Sequence, residues 1–308
     1  MAYLRGPDWF NPYAWVVSLL RLRSTPRSPV LPSVGVGNLR TGGTGKTPLV
    51  LELVKRLPDP AVVTLGYRRR YRRGCFTSEE HPSPDYLGDE GFMLYKKGGV
   101  PVIACKDRFK GAEMARTLGA RTVVYDDVFQ YFGIRPHVSI LLLRPSDVGA
   151  YTLPFGPLRE PFGAYRFADL LTFNFKLDPP SPLPDLGKPT FTMRYRVEGM
   201  VKDGEVLPLK GQRVFVFCAI ADPMSFIRAV REGGAVIVGK RIYPDHWWIP
   251  KGEVESIVRK AEALNAVPLC TEKDYYRLGY PSLPYLKVSL DVDEGLFSEV
   301  LRRLKPFL

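Results

Sequence analysis

"NLRTGGTGKTPLV", Asn38 to Val50, follows the apolar, strand-like "SVGVGN" and runs into the helix-like "PLVLELVKRL". Gly42, Gly43 and Gly45 flank Thr44 directly before Lys46 and Thr47. Glycines let a backbone wrap closely round a polyphosphate with successive N–H groups turned inward. Lys46 adds a point charge for the β and γ phosphates and Thr47 a hydroxyl for Mg²⁺. The usual spelling has a glycine five residues before the Gly-Lys-Thr, and Arg40 stands there instead. The expectation is that residues Arg40, Thr41, Gly42, Gly43, Thr44, Gly45, Lys46 and Thr47 hold ATP with Mg²⁺.

Outward from this loop the chain alternates strands and helices. "AVVTLGY", "VPVIAC", "RTVVYDD" and "VSILLL" read as strands, with helices in "GDEGFMLYKKG" and "RFKGAEMARTLG" between them. Apolar strands joined through single helices predict an α/β fold, a mostly parallel sheet flanked by helices, with ligands at the carboxyl ends of the strands. "FTMRYRVEGMVKDGEVLPL" alternates about the hairpin turn "KDGE", after proline-rich "DPPSPLPDLGKP". The βα pattern then resumes. Four segments are expected: an amphipathic helix within 1–28, a core domain over 29–188, a hairpin linker over 189–212 and a smaller α/β domain over 213–308.

A phosphate loop needs a carboxylate across the site. "RTVVYDD" ends a strand in Asp126 and Asp127, so one of these is expected at the metal. Asp89, after Gly88 at a helix start, is placed either to cap the helix or to accept the proton of an attacking hydroxyl. His246, in "YPDHWWIP", follows a strand of the second domain, where a titrating imidazole could relay a proton or serve the fold.

Charge narrows the partners. Lys and Arg number 44 against 32 Asp and Glu, a net charge of +12 over 308 residues, which favours anionic ligands or an anionic membrane surface. A nucleic-acid role lacks a recognition helix, an aromatic platform or a zinc pattern. Cys75, Cys105, Cys218 and Cys270 form no Cys-x-x-Cys pair, which predicts reduced thiols in a cytosolic protein. The polar, proline-broken start "RGPDWFNPY" is unlike a signal peptide, and no apolar run spans a bilayer. Asn11 and Pro12 predict a helix start. Trp9, Tyr13, Val16 and Leu20 then form one line and Phe10 and Val17 another, ahead of Arg21, Arg23 and Arg27, which suits either a packed terminal helix or one lying in a membrane interface.

The spacing of the opening loop resembles the deviant phosphate loops of one branch of the P-loop NTPases, with Thr41 where many carry a second lysine. "VGNLRTGGTGKTP", "GDE", "DD.FQ", "GPLREP", "YPDH" and "TEKD" occur in the order seen in the tetraacyldisaccharide 4'-kinase family, which phosphorylates a lipid A precursor. The resemblance covers nearly the whole chain. It implies a P-loop fold and transfer of the γ-phosphate of ATP, with Mg²⁺, to the 4'-hydroxyl of a tetraacylated glucosamine disaccharide 1-phosphate. It further implies a peripheral enzyme on the cytoplasmic side of the bacterial inner membrane, with a lipid substrate, no nucleic acid and no required protein partner.

By the same resemblance Asp89 is the general base, with His246 its partner across a cleft between the domains. Thr47, Asp126 or Asp127, and Glu160 lie on the metal side. Asn38, Arg159, Lys273 and Asp274 belong to the active site. Trp9, Phe10, Tyr13, Val16, Val17 and Leu20 insert shallowly into the bilayer beside Arg21.

Two local departures stand out. Val128 replaces the family's glycine after the paired aspartates, and the stretch round Gly66 and Tyr67 gains arginines. Arg68 and Arg69, with their neighbours, would either grip the substrate's 1-phosphate or form a solvated basic loop. The alternative function is a membrane-associated switch ATPase of the partitioning type, which Thr41 weighs against.

Overall fold

The computed structural model describes residues 6–308 and divides into two compact units, residues 6–194 with 292–308, and residues 195–291. The first five residues of the expected N-terminal segment, and with them part of the stretch tested for a signal peptide, lie outside the described residues.

In the first unit, α1 (Pro12–Arg23) is capped by Asn11, whose side chain accepts from the Tyr13 backbone. The sheet and its helices follow as β1 (Ser33–Asn38), α2 (Lys46–Val54), β2 (Pro60–Thr64), β3 (Phe76–Thr77), α3 (Pro84–Gly98), β4 (Val102–Ala104), α4 (Arg108–Thr117), β5 (Thr122–Asp126), β6 (Val138–Leu143), β7 (Leu170–Asn174) and β8 (Thr190–Lys202). Their lateral order is β8-β7-β6-β1-β5-β2-β4-β3. All pairs are parallel except β3 with β4, so the expected α/β sheet is present. Strands β1, β5 and β7 are buried along their whole length, as a sheet covered on both faces requires. Because β1 lies between β5 and β6, the phosphate loop at its carboxyl end sits beside the aspartates that end β5.

In the second unit, β8 continues into a hairpin with β9 (Glu205–Leu207), pairing Lys202 with Glu205 across a two-residue turn in which Asp203 and Gly204 both have positive φ. Then come β10 (Arg213–Cys218), α5 (Pro223–Glu232), β11 (Val236–Ile242), α6 (Lys251–Ala263), β12 (Val267–Thr271), α7 (Glu272–Leu278) and β13 (Tyr285–Val292). The parallel order is β11-β10-β12-β13.

Two expectations need correction. The sequence assigned everything after residue 213 to the smaller domain, but α8 (Glu294–Leu304) belongs to the first unit. Its Leu296, Phe297, Val300 and Leu304 are buried, Phe297 lies under the Arg56 guanidinium, and Glu294 pairs with Arg56 at 2.8 Å. The hairpin likewise falls inside the second unit from Tyr195 onward rather than forming a separate linker.

The second correction concerns sulfur. Cys75 and Cys105 are joined in a disulfide, Cα to Cα 4.4 Å, whereas Cys218 and Cys270 are free and buried as expected. The antiparallel register that sets Phe76 opposite Ala104 sets Cys75 opposite Cys105, an arrangement invisible without β3. No described helix is long and apolar enough to cross a membrane.

Candidate active site

The phosphate loop turns at two left-handed glycines, Gly42 (φ 79°) and Gly45 (φ 95°), and Lys46 opens α2. Asn38, at the end of β1, braces it from inside. Its Nδ2 donates to the Arg40 carbonyl and to Thr44 Oγ1, both at 2.8 Å. Its Oδ1 accepts from Lys46 Nζ at 3.3 Å and from the Arg159 guanidinium.

Asp127 completes this cluster. Its Oδ1 lies 3.0 Å from Arg159 and 3.5 Å from Lys46 Nζ. Burial alone would raise its carboxyl, but the two cations together outweigh burial and hold it below the ordinary range. Asp127 therefore stays ionised and fixes Lys46 over the loop. Its φ of 51° turns the chain directly after Asp126, which accounts for a tight bend without the glycine the family usually has next.

Asp126 behaves oppositely. It is buried, its Oδ1 has no hydrogen-bond partner, and its carboxyl is pushed up to about 7, first by burial and then by the negative charge of Glu90, against the pull of Lys46 and Arg108. A buried carboxylate oxygen without a donor is the unsatisfied group a divalent cation would complete. Thr47 lies in the adjoining first turn of α2. Among the described residues no three His, Cys, Asp or Glu side chains close a metal site.

Glu90 carries no signal of its own in the sequence. α3 is broken at Gly88 (φ 75°, ψ 165°), so a second helical segment begins at Asp89 and Glu90. The break is enforced, because a Cβ on Gly88 would fall 2.6 Å from the Tyr67 carbonyl. That kink carries both carboxylates, and the charge of Glu90 reaches Asp126.

Several expected site residues are engaged elsewhere. Arg40 Nε donates to the buried Asp147 at 2.7 Å, which takes its side chain out of the loop. The Thr41 backbone and hydroxyl both donate to the Pro157 carbonyl. Glu160, expected at the metal, is buried in a two-point pair with Arg21 at 2.6 and 2.8 Å and accepts from Gln130 as well. Arg21, expected at the membrane, is held by Glu160, by the Phe129 carbonyl and by the rings of Phe129, Phe132 and Phe167. Arg69 is buried, donating to the carbonyls of Ala104, Arg72 and Gly74, so it shapes its loop instead of offering a cation. Arg68 lies exposed next to Tyr67.

The second unit holds the other candidates. Lys273 Nζ is 3.3 Å from His246 Nε2, and Asp245 Oδ2 is 3.6 Å from the same nitrogen. Asp274, by contrast, is fully buried, accepts from Thr271 Oγ1 and the Ala219 backbone, and pairs with Arg277. It ties α7 to the end of β10.

The expected apolar lines face outward along α1 and the 3₁₀ turn Gly6–Phe10 before it. Phe10 is 89% and Trp9 52% exposed, with Tyr13, Val16, Leu19, Leu20 and Leu22 also exposed and Val17 half-buried.

Residues 13–305 match the family described as tetraacyldisaccharide-1-P 4'-kinase. The chain belongs to this family. Among curated tetraacyldisaccharide 4'-kinases, the one from Rhodopseudomonas palustris (strain HaA2) is 29% identical, covering 90% of this chain and 87% of its own. That from Pelodictyon phaeoclathratiforme is 31% identical, covering 90% and 88%. A crystal structure of LpxK from Aquifex aeolicus in complex with ATP superposes with a TM-score of 0.77 at 26% identity, covering 96% of each chain. This member of the tetraacyldisaccharide-1-P 4'-kinase family carries the ionised Asp127 against Lys46 of the loop, directly after the unsatisfied Asp126.

Proposed function

We propose that the protein transfers the γ-phosphate of ATP to the 4'-hydroxyl of a tetraacylated glucosamine disaccharide 1-phosphate, the step of lipid A biosynthesis that forms lipid IVA. The observation that carries the proposal is the bracing of a phosphate loop by Asn38, Lys46, Asp127 and Arg159 in a chain of this family.

Lys46 and the loop N–H groups bind the ATP phosphates. Thr47 and Asp126, with Glu90 nearby, would hold Mg²⁺, which supplies charge neutralisation at the phosphates when bound. Asp89 takes the proton as the hydroxyl oxygen bonds to the γ-phosphorus; the bond from that phosphorus to the β,γ-bridging oxygen breaks, and ADP leaves with the electron pair. His246, with Lys273 on its Nε2, is the second residue whose loss is expected to slow the reaction. The enzyme works from the cytoplasmic face of the inner membrane, where α1 and the turn before it rest their exposed apolar and aromatic residues among the acyl chains of an anionic leaflet.

The test is transfer of labelled phosphate from ATP to the tetraacyldisaccharide 1-phosphate in detergent, comparing the parent with Asp89→Ala and His246→Ala. Labelled lipid with the parent, and losses of roughly 10²–10⁴-fold for a missing general base, support the reading. ATP hydrolysis without labelled lipid would move the switch-ATPase alternative ahead of it.

A further inference from the structure

The carbonyls of the phosphate loop are held as firmly as its side chains. Gly43 O accepts from Arg144 at 2.6 Å and from Lys176 Nζ at 2.7 Å. Thr44 O accepts from Asn174 Nδ2 at 2.7 Å. These three donors come from the carboxyl ends of β6 and β7, outside the motif itself.

Each donor is itself fixed. Asn174 Oδ1 accepts from the Lys176 backbone at 2.7 Å, which settles that its Nδ2 faces the loop. Lys176 stands in the left-handed region (φ 61°), turning its side chain back across the end of β7. The Arg144 backbone donates to buried Asp147 at 2.8 Å, and the same carboxylate takes the Arg40 side chain. Asp147 thus couples the turn after β6 to the loop.

A trans peptide carries its C=O and N–H on opposite sides. The only cis peptide among the described residues is Leu153–Pro154, so the 43–44 and 44–45 units are trans. Anchoring the Gly43 and Thr44 carbonyls on side chains from β6 and β7 therefore turns the Thr44 and Gly45 N–H groups to the opposite side of the loop, free for a phosphate. Two cations on one carbonyl also polarise that peptide and strengthen its N–H as a donor.

Resting on the nucleotide reading above, we infer that Arg144 and Lys176 are positioning residues for ATP, acting through the Gly43–Thr44 peptide and substituting for one another there. Because they share one acceptor, either alone keeps the carbonyl anchored, while loss of both leaves the peptide free to turn.

The experiment measures the ATP dissociation constant with Mg²⁺ for the full chain, as parent, Arg144→Met, Lys176→Met, the double variant, and Arg144→Lys with Lys176→Met. All are compared at a temperature where circular dichroism shows each folded. The single variants are expected within about threefold of the parent, and the double variant about tenfold to a hundredfold weaker, the worth of one charge-assisted hydrogen bond. The Arg144→Lys, Lys176→Met protein keeps one cation and is expected to bind like a single variant; should the double variant fail to fold, Arg144→Ala with Lys176→Ala takes its place. Independent losses of tenfold or more from each single variant would mean direct contacts to the nucleotide and overturn the inference. So would parent-like binding by the double variant. A parent that binds no ATP removes the nucleotide reading itself.

Discussion

Arg21 and Glu160 meet in a buried two-point ion pair, Nε to Oε2 2.6 Å and Nη2 to Oε1 2.8 Å, across 139 residues of chain. The pair fastens α1 to the segment that also supplies Arg159, so the apolar face of the helix and the phosphate site share one support.

Breaking that pair from one side strands a charge in the interior. Glu160→Ala is expected to destabilise the protein by about 3–5 kcal/mol, read from urea unfolding of the full chain. A loss below about 1 kcal/mol would show that water reaches Arg21 after all.

The glycine at the break in α3 is expected to be irreplaceable. Gly88→Ala places a Cβ 2.6 Å from the Tyr67 carbonyl at φ 75°, and the strain is expected to cost about 1–3 kcal/mol or to displace Asp89. Kinase activity should fall further than ATP affinity. Unchanged turnover would detach the kink from the chemistry.

Asp126 gives a pH signature in the absence of nucleotide and Mg²⁺. Its carboxyl is raised to about 7 by burial and by Glu90, so between about 4 and 7 the native protein holds a proton that the unfolded chain has lost. Its contribution to stability is therefore greatest at low pH and disappears as pH rises through about 7. Asp126→Asn cannot ionise, and relative to the parent its stability should improve steadily across that window. A difference that stays flat with pH would contradict the raised carboxyl.

The outward face of α1, with the turn Gly6–Phe10 that leads into it, is tested on vesicles. Trp9→Ser with Phe10→Ser removes two exposed side chains without disturbing the core, and each large apolar group is worth about 1.5–3 kcal/mol of transfer at full burial. Binding to anionic vesicles should drop more than tenfold with unfolding midpoints unchanged. Equal partitioning of variant and parent would leave α1 without a membrane role.

The parallel sheet, the loop between β1 and α2, the aspartates ending β5 and the Asp203–Gly204 hairpin were legible because each rests on local signals: apolar runs of strand length, glycines where φ is positive, and turn chemistry. β3, only two residues long, carried no pattern, and with it the Cys75–Cys105 pairing stayed hidden. α8 read as part of the second domain because sequence order says nothing about which core buries Phe297.

What the sequence determined by itself was the inventory of phosphate-binding and carboxylate groups at strand ends, since those sites depend on residues within one turn of each other. The tertiary structure alone decided which charges remain available. Arg21, Arg40, Arg69, Glu160 and Asp274 are drawn inward by partners, several of them more than 100 residues away, while Arg144 and Lys176 are drawn onto the loop. A charge buried without a partner is too costly to keep, and long-range packing chooses that partner.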